Sequence, residues 1–212
     1  MPSSTVRFRD ALLPVVAPKS SALVLELWFT LPQCDQKQVA QVASAQREVV
    51  KREAEQNQNE FVDLFKQSVK AGLKSHVLVP SCEDYGRILD AGAGDIATML
   101  ELIARLAGEK GEKLTADRPD GLPVLLYGGA IHNDLEPANG RGTFSFGPRL
   151  DNATGHRYVE VDLIVPEFVG TDEIWQSQPW YGMFDAKAKR KETLLLEVHK
   201  NSFVLVFPTT DA

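Results

Sequence analysis

The sequence predicts an α/β protein of three layers, built on a mixed sheet with parallel strands at its core and an antiparallel hairpin at its C-terminal end. Three observations carry this. Short apolar runs at residues 21–29 (SALVLELWF), 76–79 (HVLV) and 123–127 (PVLLY) suit strands covered on both faces. Helical segments separate those runs, which is the signature of parallel strands joined by crossovers. The last part of the chain instead carries adjacent strand patterns, with a turn at Lys200-Asn201 between them.

The elements follow in order. Ser3-Ser4-Thr5 caps a short helix through Phe8, Leu12 and Leu13 to about Val16, and Pro18 closes it. Residues 21–29 form the first strand. Residues 35–72 read as helix. Val39, Val42, Val49 and Val50 mark its apolar face early, and Phe61, Leu64, Phe65 and Val69 mark it later. The almost wholly polar 51–60 stretch projects into solvent or divides the helix in two, and Gly72 suits its end. After the 76–79 strand, residues 81–94 are a polar loop or an irregular helix. Residues 95–107 form an amphipathic helix with Ile96, Met99, Leu100, Ile103 and Leu106 on one face. Residues 110–120 read as a charged surface connection. In residues 157–165, Val159, Val161, Leu163 and Val165 alternate with Tyr158, Glu160 and Asp162, so the acids are expected on the solvent face of a half-exposed strand. Trp175, Trp180 and Tyr181 read as a lid over the core.

With 212 residues, 43% of them hydrophobic, the chain suits one domain spanning residues 1–212. The formal net charge of -6 disfavours nucleic acid and anionic membrane surfaces as partners. The longest apolar stretch, about ten residues broken by Glu26, falls short of the roughly twenty that span a bilayer. Two cysteines, Cys34 and Cys82, are too few for a disulfide framework or a thiolate zinc site. A single bridge is allowed, but a reducing compartment is the simpler reading, and the expected location is cytoplasmic.

Ligands of open α/β sheets bind beyond the carboxyl ends of the strands. Three polar groups meet that description: Glu26 in the first run, Cys82-Glu83-Asp84 after the second, and His132-Asn133-Asp134 after the third. His132 follows the turn Gly128-Gly129-Ala130-Ile131. Glycines let a backbone approach a ligand closely, and imidazole is both a general acid/base and a common metal ligand. Glu26 is costly to bury unpaired. It is expected protonated, beside His132, on a metal, in an ion pair with Arg87 or Arg105, or where the strand opens to solvent. Candidate catalytic and metal-binding residues are therefore His132, Glu26 and Asp134, with Gly128, Gly129 and Asn133 as candidate cofactor contacts. His76, His156 and His199 read as surface or capping residues. No P-loop, dinucleotide fingerprint or nucleophile elbow is present.

These residues carry a resemblance. The strand VLELW, a long helix, the helix DIATMLELIARL, the strand end GGAIHND and the closing LLLEVHKNSFVLVFP together resemble the haem-binding uptake/Tiki superfamily. That group includes ChaN-like haem-binding proteins, Tiki-type metal-dependent proteases and erythromycin-esterase-like proteins. His132 matches its G-x-x-H motif and Glu26 its acidic strand position. The family's first Glu/His motif has no counterpart here. The resemblance thus implies a degenerate or truncated ChaN/Tiki-like domain, acting as a ligand-binding or protein-interaction module. A small molecule or peptide would occupy its cleft, or a homodimer would form through an exposed sheet edge. It also implies two alternatives: a metal-dependent hydrolase using His132 with Glu26 and Asp134, the cofactor being a divalent metal, or haem binding.

Overall fold

The computed structural model describes residues 2–49, 54–92, 95–117, 121–138 and 140–210. It is an α/β structure whose strands divide into two three-stranded sheets instead of one. Ser3 accepts a hydrogen bond from the Val6 amide and caps α1 (Ser4–Arg7). A π-helical turn (Phe8–Leu12) leads into α2 (Leu13–Val16), so the expected N-terminal helix is present but unevenly wound.

The first sheet has the order β2-β1-β3 and is parallel throughout, with β1 at Ala22–Trp28, β2 at Lys74–Leu78 and β3 at Val124–Tyr127. The centre of β1 is buried on both sides. Leu23 and Leu25 pack with Phe8, Leu13 and Leu64 on one face, while Val24 packs with Ala107, Phe146 and Leu150 on the other. This explains why β1 reads as an apolar run without alternation. Helices α3 (Gln36–Val49) and α4 (Ala54–Lys70) occupy the expected long helical stretch. Val50 and residues 51–53, where that stretch was expected to divide, lie outside the described residues.

Two boundaries differ from expectation. Residues 82–90 form α5 (Cys82–Asp90), held by a capping box in which Ser81 and Asp84 each bond the other's backbone N–H. Asp95 caps α6, which runs through Ile96–Ala116 and absorbs most of the segment expected to be a surface connection. Gly108 and Gly111 do not end it. Both lie buried in contact range of α7 (Gly147–Ala153), where a side chain would crowd Phe146, Arg149 and Leu150.

The second sheet has the order β4-β6-β5, with β4 at Glu160–Ile164, β5 at Leu194–His199 and β6 at Ser202–Val206. The β5–β6 hairpin is antiparallel, as expected, and β4 pairs with β6 in parallel. Trp180, stacked on Phe184, packs with Val204 and Val206, so the aromatic segment covers the apolar core of this second sheet. The orientation of β4 is the reverse of expectation. Glu160 is buried, whereas Val161 is 39% exposed.

Cys34 and Cys82 form a disulfide, which corrects the reading of two reduced thiols. The cause is topological. Each follows the carboxyl end of one of two adjacent parallel strands, and their Cα atoms come within 5.0 Å despite a sequence separation of 48. Among the described residues no helix is long and apolar enough to cross a membrane.

Candidate functional site

The site grows out of the last pairing of β1 with β3, Leu25 opposite Tyr127. One residue further along each strand come Glu26 and Gly128. The Glu26 side chain crosses over Gly128, where an added Cβ would lie 2.5 Å from Oε2. Only glycine admits the carboxylate there. Glu26 Oε2 accepts a hydrogen bond from the Gly129 amide at 2.6 Å. The glycine pair was expected to contact a cofactor, but it cradles the chain's own carboxylate instead.

His132 ends a short 3-10 turn (Ala130–His132) and is 2% exposed. Its Nδ1 lies 2.8 Å from the Phe144 carbonyl oxygen. A carbonyl can only accept, so Nδ1 carries a proton; Nε2 is an acceptor when the ring is neutral and a donor towards Glu26 when it is protonated. Nε2 faces Glu26 Oε1 at 3.7 Å. The backbone around the ring is clamped as well. The His132 carbonyl accepts from the Phe146 amide at 2.9 Å and from Ser145 Oγ at 3.2 Å.

The structure thus brings together two of the three expected catalytic residues. The third plays a different part. The Asp134 backbone carbonyl accepts from Ser145 Oγ at 2.6 Å, while the orienting partner of His132 is the Phe144 carbonyl. Burial raises the Asp134 carboxyl above the usual carboxylate range, against the pull of Arg141 and His132. The Asn133 side chain does not face the cleft; its Nδ2 donates to Asp162 Oδ1 at 3.2 Å. Arg105 and Arg87 pair with Asp84, not with Glu26. Among the described residues no group of three or more His, Cys, Asp or Glu is arranged to hold a metal ion. A catalytic zinc-type centre needs about three protein ligands, so Glu26, His132 and Asp134 do not fit one.

Sequence reasoning missed a set of residues beside this site. Glu160 Oε2 accepts from the Leu135 amide at 2.7 Å, and the Tyr158 hydroxyl donates to the Asn133 carbonyl at 2.9 Å. Burial is the largest influence on Tyr158, Glu160 and Asp162, and each is raised. For Asp162 the result is about 7, because the nearby Glu160 and Asp134 add to burial while the Asn133 hydrogen bond opposes it. The available signal was the polar series Tyr158, Glu160, Asp162 at every second residue. Of the remaining histidines, His156 pairs with Asp151 at 2.6 Å and His199 is exposed, whereas His76 lies in β2 with its Nε2 buried and without a partner among the described residues, so it is not the surface or capping residue expected.

Comparison with family models, with curated proteins and with solved structures finds no match for this chain. The α/β class therefore stands on the structure, and the Tiki-like resemblance stands on the sequence motifs alone.

Proposed function

We propose that the chain is a ligand-binding module whose site is the Glu26–His132 pair, and that it recognises a cationic, multi-donor group such as an amine or guanidinium on a small molecule or peptide. One observation carries the reading. With the ring neutral, Glu26 Oε1 and His132 Nε2 are two acceptors converging at 3.7 Å with no donor between them among the described residues. An N–H or O–H of a ligand is the missing complement. Glu26 makes no ion pair with Lys or Arg among the described residues, and its side chain is 23% exposed. Its carboxylate charge favours a cation. The test is a titration with n-butylamine and arginine amide, comparing the wild type with Glu26→Gln. Saturable binding that weakens about tenfold or more in the variant supports the reading.

A second reading uses the same pair as a metal-free general base. A water held between Nε2 and Oε1 would lose its proton to the pair as it attacks a carbonyl. His132-dependent cleavage of activated esters distinguishes it from binding alone. The Cys34–Cys82 bridge favours an oxidising compartment over the cytoplasmic location expected from composition.

A further inference from the structure

Among the described residues, three hydrogen bonds fasten the loop that carries His132 to β4 and to Tyr158 just before it, and two of them end on carboxylates. Asn133 Nδ2 donates to Asp162, the Leu135 amide donates to Glu160, and the Tyr158 hydroxyl donates to the Asn133 carbonyl. We propose that Asp162 is a proton-binding site at this junction, and that its acid form latches the His132 loop onto β4.

The first ground is a missing donor. Asn133 Oδ1 is buried and has no hydrogen-bond partner among the described residues. Such an orphan is costly, and native structures hold few of them. A carboxylate facing a primary amide satisfies only the amide N–H. A carboxylic acid satisfies both ends, because its C=O accepts from Nδ2 and its O–H donates to Oδ1. The proton comes from solvent, and no other group changes state.

The second ground is the charge of the surroundings. Asp162 shares its pocket with Glu160 on the same strand and Asp134 on the loop, and both disfavour its ionised form. Tyr158 lies on the same side and feels all three acids. The charges that oppose this act on the neighbours: Arg141 and His132 on Asp134, and His199 on Glu160. Three carboxylates crowded out of water cannot all ionise cheaply. The burial that raises Asp162 to about 7 agrees with this geometry.

The sign follows from linkage. The folded value lies above the ordinary carboxylate value near 4, so the closed junction binds the proton more tightly than the open one. Closure weakens as pH rises from about 4, and the loss is complete somewhat above 7. Between pH 6 and pH 8 the opening constant should rise about tenfold.

The test is hydrogen exchange of the Leu135 amide, corrected for intrinsic exchange and measured with no ligand added. Its outcome is therefore independent of what the site binds. The wild type should show the tenfold rise. Asp162→Asn should stay flat at the low-pH level, because a side-chain amide at that position supplies both complements of Asn133 at every pH. A pH-independent wild type, or an Asp162→Asn protein that opens at pH 8 as readily as the wild type, overturns the latch. If the variant fails to fold, carboxyl 13C titration of wild-type Asp162 decides. A near-neutral midpoint supports the proposal, and a midpoint near 4 overturns it. Calcium that closes the junction at pH 8 also overturns it, in favour of a cation site.

Discussion

β1 and β4 are short strands that both carry acids, yet they are built on opposite logic. β1 is covered on both faces, by the Phe8–Leu12 turn, α2 and α4 on one side and by α6 and α7 on the other. Its acid, Glu26, sits at the carboxyl end where that cover opens. β4 turns Glu160 inward while its neighbour Val161 points outward. An apolar run needs no decision about which side is inside. An alternating strand has two solutions, and the choice between them lies with distant partners. Here the amide of Leu135 and the side chain of Asn133 settle it, because they offer donors that only an inward Glu160 and Asp162 can use.

The contrast can be broken by experiment. The largest effect is expected from the Cys34–Cys82 bridge, which ties the loops beyond β1 and β2. A closed loop of 48 residues confines the unfolded chain enough that removing the bridge, as Cys34→Ala with Cys82→Ala, should cost about 4 kcal/mol in urea unfolding. No change on adding reductant to the wild type would refute the pairing. Next come matched truncations in the two strands. Leu25→Ala, at a position with no exposure, should cost about 3 kcal/mol. Val161→Ala should cost less than about 1 kcal/mol, since its side chain already meets water. Equal costs would mean that β4 is oriented as its sequence alone suggests.

A smaller effect separates two acids by sign. Glu167 lies at about 2: burial pushes it up, but the Thr210 amide and hydroxyl and the Arg7 guanidinium hold it down more strongly. Its contribution to stability is present above about 4 and is lost as pH falls towards 2. Asp162 behaves oppositely and weakens the fold as pH rises to neutrality. Acid unfolding of Arg7→Ala should therefore begin at higher pH than in the wild type. An unchanged acid limb would show that Arg7 leaves Glu167 unaffected.

Much of the first sheet was legible. Its three strands, the capped N-terminal helix and the approach of Glu26 to His132 follow from an apolar run with an acid inside it and a histidine after a glycine turn. The closing hairpin was legible through its turn at Asn201, which adopts a positive φ of 63°. What stayed hidden depends on contacts far apart in sequence. The Phe144 carbonyl that fixes the His132 tautomer is a backbone atom, which no residue type announces. The division into two sheets, the inward acids of β4 and the disulfide arise only once the strands are ordered. The length of α6 was hidden by glycines that serve close packing and not chain termination.

The account turns on the two acceptors that face one another at the mouth of the first sheet. The direct measurement is a long-range 1H–15N spectrum of the imidazoles during titration with arginine amide, in the wild type and in Glu26→Gln. The account predicts a His132 ring protonated at Nδ1. Its Nε2 signal and the Gly129 amide should shift together and saturably in the wild type, and far less in the variant. A His132 ring protonated at Nε2 alone, or signals that arginine amide leaves in place, would contradict it.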